Sequence, residues 1–277
     1  MSGLICPVCR ELLLQEERLY RCGNGHCFDK SKFGYVNLLQ SQKSSAKRHG
    51  DDRLMIRARR DFLDKGYYGF LRDELCHVSK KYLSDAACVA DVGCGECYYS
   101  SKIYEEMKKS GCDVSFFGID ISKDALEFAF KRKCGFPTAV ASIFSLPFAN
   151  CSLDAVLNVF APEADGEFLR VLKKGGLLIK VIPLENHLFE LKKVIYDKPY
   201  LNEVPPAETE GFQLAEEIRI SREITVSSNE DISNLFKMTP YYYKTGIADQ
   251  KKTDALNALA VQAEFGIRIY KKDDLNA

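Results

Sequence analysis

A mostly parallel α/β sheet, preceded by a small metal-bound segment, is the fold class this sequence predicts. Three observations predict it. From residue 88 onward, short apolar runs alternate with helical periodicity. A Gly-x-Gly turn joins the first of those runs to a helix. Two close pairs, Cys6 with Cys9 and Cys22 with His26, stand near the N-terminus. Strands that alternate with helices settle into a parallel sheet covered on both faces.

The first segment reads as a metal knuckle. Cys6-Pro7-Val8-Cys9 is followed, after a gap of twelve residues, by Cys22-Gly23-Asn24-Gly25-His26. Two close pairs on tight turns converge on one tetrahedral zinc with ligand bonds of about 2.0–2.3 Å. Cys27 is adjacent to His26 and is an alternative fourth ligand. So short a segment buries too little core to fold alone, and the metal would supply on the order of 10 kcal/mol. With four protein ligands the site is closed and structural.

Residues 43–82 are basic and then amphipathic. Lys43, Lys47, Arg48, Arg53, Arg57, Arg59 and Arg60 follow one another closely, and Leu54, Ile56, Phe62, Leu63, Leu71, Leu75 and Val78 are spaced for helices. The formal net charge of the chain is zero, so a nucleic-acid reading has to rest on a local patch such as this one. The sequence thus divides into a metal segment (1–42), a basic helical linker (43–82) and an α/β domain (83–277).

In the α/β domain, Cys88-Val89-Ala90-Asp91-Val92 is a strand that enters Gly93-Cys94-Gly95, and a helix follows from Tyr98. A second strand, residues 115–120, ends at Asp120. Residues 122–133 read as a helix with Ser122 as N-cap. Further strands are expected at 138–141, 153–159, 177–182, 217–226 and 264–271. A helix at 168–172 is expected to end at Gly175-Gly176.

Glycines after a strand let the backbone pass close to a ligand. Asp120 at the end of the next strand can accept from both hydroxyls of a ribose. The third glycine of the dinucleotide fingerprint is missing, and the acid just before Gly-x-Gly suits a cationic sulfonium better than a pyrophosphate. Cys94-Gly95-Glu96-Cys97 is formally Cys-x-x-Cys, but it lies within this loop and lacks the usual proline.

No apolar run reaches the roughly 18 residues of a membrane helix, and the N-terminus lacks a secretory pattern. The expectation is a cytoplasmic protein whose 11 cysteines are not a disulfide framework.

Several strings together resemble the RlmA family of 23S rRNA guanine-N1 methyltransferases. They are Cys6-Pro7-x-Cys9, Cys22 to Asp29, Gly34-Tyr35-Val36-Asn37-Leu38-Leu39, Arg57-Ala58-Arg59-Arg60-x-Phe62-Leu63 and Asp91-x-Gly93-Cys94-Gly95-Glu96-x-Tyr98-Tyr99. Further on come Leu146-Pro147-Phe148, Phe160-Ala161-Pro162, His187-Leu188-x-Glu190-Leu191-Lys192 and Met238-Thr239-Pro240. The resemblance implies a class I, Rossmann-like methyltransferase sheet with an N-terminal zinc-binding domain that helps grip an rRNA hairpin. It implies zinc ligands Cys6, Cys9, Cys22 and His26, and S-adenosylmethionine contacts at Tyr68, Gly95, Glu96 and His187. The residues themselves add Gly93 and Asp120. Cys97 stands where the family usually has Gly, Lys174 where many methyltransferases have Pro, and Ser142 where related enzymes often have Asp.

Methyl transfer to guanine N1 also releases a proton, and no His/Asp pair offers itself as its base. Asn158, or a backbone carbonyl near Phe160-Ala161-Pro162, is the expected acceptor, with Phe160 stacking on the extruded base. Tyr241-Tyr242-Tyr243 reads either as an RNA stacking surface or as packing. The partner expected is a 23S rRNA hairpin, with a possible homodimer. Two rival readings are a small-molecule methyltransferase with an accessory zinc module and a non-enzymatic RNA-binding protein.

Overall fold

The computed structural model describes residues 3–40 and 52–273. Lys43, Lys47 and Arg48 lie outside these residues.

The N-terminal segment forms a three-stranded antiparallel ribbon of β1 (Leu13–Gln15), β2 (Leu19–Cys22) and β3 (Cys27–Asp29). The next strand, β4 (Val36–Asn37), leaves the ribbon and becomes an edge of the large sheet, where Val36 pairs in parallel with Ala139. The large sheet holds β4, then β5 (Cys88–Val92), β6 (Ser115–Asp120), β7 (Thr138–Val140), β8 (Leu153–Val159), β9 (Leu172–Pro183), β10 (Phe212–Val226) and β11 (Leu259–Lys272). Its order is β10-β11-β9-β8-β5-β6-β7-β4. The strands from β9 to β4 run parallel, and β11 and β10 add an antiparallel margin.

The helices are α1 (Arg53–Asp64), α2 (Gly69–Tyr82), α3 (Tyr98–Lys109), α4 (Lys123–Arg132), α5 (Asp165–Val171), α6 (Phe189–Ile195), α7 (Asn229–Lys237), α8 (Pro240–Lys244) and α9 (Ile247–Gln250). The basic stretch therefore ends in a packed helix. Asp52 caps α1 by accepting from the Met55 amide at 2.8 Å, and Met55, Ile56, Ala58, Phe62 and Leu63 are buried. Ser122 caps α4 as its sequence predicts.

One face of the sheet packs against α2, α3, α6 and α7 through Leu71, Leu75, Ile103, Leu191 and Ile232. The other face receives the ribbon. Leu4, Leu13 and Tyr20 share a core with Phe117, Phe148, Val156 and Leu178. The Ile5 amide donates to the Pro147 carbonyl at 2.9 Å.

One local expectation is corrected. α5 stops at Val171, before Gly175-Gly176, which lies inside β9. Register shifts there, between Leu153 opposite Leu172 and Ala155 opposite Leu177, so the glycines absorb a bulge and do not terminate a helix. Tyr241 to Tyr243 lie in the short α8.

Candidate active site and zinc centre

The cofactor loop is built from the ends of β5 and β6. The Ile119 carbonyl accepts from the amides of Gly93 (2.8 Å) and Cys94 (3.0 Å), which turns the chain sharply. Gly93 has φ +75°, and a Cβ placed on it would lie 2.4 Å from Ala161 Cβ. Gly95 has φ +55° and open space where a Cβ would sit. The first glycine thus locks the loop against the turn after β8, and the second leaves the backbone bare toward solvent. Cys97 also has positive φ (61°), the conformation that favours the glycine expected at this position.

Three carboxylates surround this loop. Asp120 accepts from the Gly95 amide (2.8 Å) and the Ser122 amide (2.7 Å), so the acid expected to hold ribose also fixes the loop. Asp91 is buried and its Oδ1 makes no hydrogen bond of normal geometry, and burial pushes its carboxyl up to about 7, opposed by the nearby Ser100 hydroxyl and reinforced by the Asp120 charge. Glu96 is also buried and is pushed up to about 7 by burial, opposed by Arg132, which donates to it at 2.9 Å. Its second oxygen, Oε2, is unpartnered. Two orphaned acceptors beside a bare glycine suit a ligand that brings a cation and hydroxyl or amino donors, and they disfavour a pyrophosphate.

An aromatic wall stands beside the loop. Phe265 sits at its centre, with ring centroids 5.0 Å from Tyr68, 4.6 Å from His187 and 5.4 Å from Phe160. Phe160 is 44% exposed, against 0% for Phe265. It adopts φ +56°, a costly conformation for an aromatic residue. Its ring is 6.4 Å from Tyr99. The Tyr68 hydroxyl is buried without a partner. Asn158 is 1% exposed and its Nδ2 donates to the Pro162 carbonyl at 2.9 Å. It therefore shapes the 160–162 turn.

At the ribbon, the donor atoms of Cys6, Cys9, Cys22 and His26 all lie within 4.8 Å of one another. Cys9 and Cys22 Sγ are 3.6 Å apart, and Cys22 Sγ is 3.2 Å from His26 Nδ1. A tetrahedron with Zn–S bonds near 2.3 Å has edges of about 3.8 Å, so the set fits zinc. Cys27 is exposed and its thiol donates to the Gly25 carbonyl, while His26 stands in the donor cluster as the candidate fourth ligand.

Residues 4–47 match the family described as "RlmA, N-terminal", a zinc ribbon, and residues 83–219 match a "Methyltransferase domain". The 23S rRNA (guanine(748)-N(1))-methyltransferase of Streptomyces fradiae is 35% identical over 191 residues, which are 68% of this chain and 66% of that protein. The Bacillus subtilis (strain 168) protein named "Putative 23S rRNA (guanine-N(1)-)-methyltransferase YxjB" is 30% identical over 246 residues, 85% of each chain. The chain belongs to the RlmA family of 23S rRNA (guanine-N1)-methyltransferases. A solved structure described as a "putative methyltransferase", from Bacillus halodurans C-125, superposes with a TM-score of 0.50 at 15% identity, covering 73% of this chain and 98% of that one. That likeness concerns the fold.

As an RlmA-family methyltransferase, the chain uses S-adenosylmethionine and a structural zinc. The structure brings Gly93, Gly95, Glu96 and Asp120 to one loop, and gathers Tyr68, His187 and Phe160 on one wall. The basic stretch of this RlmA-family protein is partly neutralised. Arg53 faces Asp124 (3.4 Å) and Glu127 (3.9 Å). Arg60 pairs with Asp61 and lies 4.7 Å over the Phe128 ring. Arg57 is exposed and has no carboxylate partner among the described residues.

Sequence reasoning missed Arg132 and Phe265, and it considered Ala161 only for its carbonyl, not for the packing of its side chain against Gly93. A small residue directly after Phe160 was a usable signal for Ala161, because a Gly-x-Gly loop needs a small neighbour. Arg132 and Phe265 are brought in from distant strands and helices, with no local pattern to mark them.

Proposed function

We propose that this chain methylates nitrogen 1 of a guanine in 23S rRNA. The observation that carries the reading is the junction of Gly93 with Ala161. It sets the acid-lined loop directly beside a turn whose aromatic residue is half-exposed, so a nucleoside-bearing cation and a flat base could meet there. S-adenosylmethionine, when bound, supplies an electrophilic methyl. Asp120 would hold the ribose, Asp91 and Glu96 would receive donors on the cationic side, and Tyr68 and His187 would close the far wall. Phe160 would stack on the extruded base. Asn158 would fix the turn so that the carbonyls of Phe160 and Ala161 face the departing N1 proton. Alignment and exclusion of water carry most of the rate.

The reading extends to finer points: a hairpin loop as the target, work in the cytoplasm where ribosomes are assembled, and a homodimer. Among the described residues no helix is long and apolar enough to cross a membrane. The deciding experiment incubates the protein with labelled S-adenosylmethionine and 23S rRNA from cells lacking the modification, then maps the label. One methyl at guanine N1 is expected. Transfer to a small molecule without RNA, or RNA binding without turnover, would replace this reading with one of its rivals. Sedimentation of the full chain tests the dimer.

A further inference from the structure

Lys192 is 0% exposed, and among the described residues no carboxylate pairs with it. A buried ammonium without an anion is costly unless its three donors are met. Here the Asn202 Oδ1 accepts from it at 2.6 Å and the Tyr200 carbonyl at 3.1 Å. Its Nζ lies 4.2 Å from the centroid of the Tyr200 ring and 5.0 Å from that of Tyr241, so two aromatic faces share the charge. Asn202 is a complete hydrogen-bond node. Its Oδ1 also accepts from the Tyr241 hydroxyl (2.9 Å), while its Nδ2 donates to the carbonyls of Leu184 (2.8 Å) and His187 (2.9 Å). The backbone amide of Asn202 donates to the Glu185 carbonyl.

This network ends on the backbone carbonyl of His187, and so places the residue whose ring faces the aromatic wall. The His187 Nδ1 accepts from the Glu264 amide at 3.2 Å, so the ring proton sits on Nε2. Burial, followed by the Lys192 charge, takes His187 down to about 3. A protonated ring could not accept from Glu264 and would lose this tautomer.

We propose that Lys192 is a positioning residue for cofactor binding, whose caged ammonium, acting through Asn202 and its bond to the His187 carbonyl, holds the His187 ring in place at the aromatic wall, where Glu264 fixes it as an Nε2–H donor. The inference rests on the reading that His187 contacts the cofactor. It also gives a role to the Lys192 end of the His187-to-Lys192 string and to Tyr241, which the methyl-transfer geometry leaves unused. The charged or titratable groups around His187 are Lys192 and Glu190 on α6, Glu264 on β11, Tyr68 before α2 and Tyr241 on α8. Glu190 and Glu264 are committed to the backbone amides of Gln262 (2.9 Å) and Asn186 (2.8 Å).

The test compares wild type, Lys192→Met and Lys192→Arg in the full chain with zinc bound. Calorimetry measures S-adenosylmethionine affinity, and nitrogen-15 NMR of labelled histidine reads the His187 tautomer between about pH 5 and 8. Lys192→Met is expected to weaken cofactor affinity about tenfold and to give His187 mixed tautomers, because a displaced ring no longer accepts from the Glu264 amide. Lys192→Arg is expected to restore part of both. If Lys192→Met fails to fold, Tyr200→Leu opens the cage from the surface, where Tyr200 is 52% exposed, and should shift both readouts in the same direction by a smaller amount. An unchanged tautomer and unchanged affinity in a folded variant would overturn the proposal, even if melting temperature fell. Neither readout requires RNA, so failure of rRNA methylation in the wild type would strike the functional reading and leave this one standing.

Discussion

Gly93 and Ala161 are pressed together so tightly that a methyl group on the first would lie 2.4 Å from the methyl of the second. The Gly93–Gly95 loop and the turn at residues 160–162 are therefore packed as one unit. Gly93→Ala combines this clash with φ +75°, a conformation alanine resists. The expected cost is about 2–4 kcal/mol, drawn from overpacking and backbone strain together. The variant should lose S-adenosylmethionine binding by calorimetry and melt lower. Wild-type affinity would mean that the two segments separate freely.

Asp120 anchors the Gly95 and Ser122 amides with its carboxylate, and on the proposed reading it also holds the ribose. Asp120→Ala should weaken cofactor binding by about 1–3 kcal/mol. Asp120→Asn offers only one acceptor oxygen for two amides and should fall between wild type and alanine. A calorimetric series with all three proteins equal would remove Asp120 from the site.

Asp91 and Glu96 both stand near 7 in the protein alone, well above ordinary carboxyls. The protein alone holds their protons where the unfolded chain has released them, so stability falls as pH rises from about 4 to 7. A cationic ligand favours their ionised forms, so affinity should move the other way. From about pH 6 to 8, cofactor affinity is expected to rise about 3–10-fold, and Asp91→Asn should flatten that rise. A flat wild-type profile would show that neither acid titrates in the site.

The zinc ligands support more than the ribbon. Leu4, Leu13 and Tyr20 complete the core beneath Phe117 and Phe148, so Cys9→Ser should release the metal and also uncover one face of the sheet. The expected result is loss of bound zinc by atomic absorption together with a lower melting temperature for the remaining domain. Full zinc occupancy would move the ligand set elsewhere, and an unchanged domain melt would show that the shared core contributes little.

On α1, Arg57 is free of ion pairs among the described residues while Arg53 answers to Asp124 and Glu127. If this helix meets RNA phosphates, Arg57→Ala should reduce the salt slope of RNA binding by about one, and Arg53→Ala by less. Cofactor affinity should not change in either. Equal slopes in all three proteins would place the RNA surface elsewhere.

Much of this was legible in the residues. The clustering of the two Cys/His pairs and the placing of Asp91 and Asp120 follow from spacing, because tight turns and strand ends place neighbours in sequence side by side in space, whereas Glu96 came from the family resemblance. The Ser122 cap and the β10 and β11 strands follow from local pattern. What escaped is long-range. Nothing near Val36 shows that it will pair with Ala139, and nothing near His187 shows that Asn202 and Glu264 will hold it. Lys192 left a faint trace: it occupies the apolar stripe of Leu188, Leu191 and Ile195, where a charge needs an explanation. The Gly175-Gly176 pair misled because a bulge and a helix end draw on the same glycine chemistry.

The edge strand β4 has a consequence in time. Its partner β7 lies roughly 100 residues downstream, which at about 5–20 residues per second is some 5–20 s of synthesis. During that interval the ribbon has no sheet to lean on, and its buried face, including Leu4 and Tyr20, is bare. Zinc capture by Cys6, Cys9, Cys22 and His26 needs the chain only as far as His26. The metal would then act as a placeholder on the ribosome, keeping the leading segment in shape until the domain that will cover it has been made.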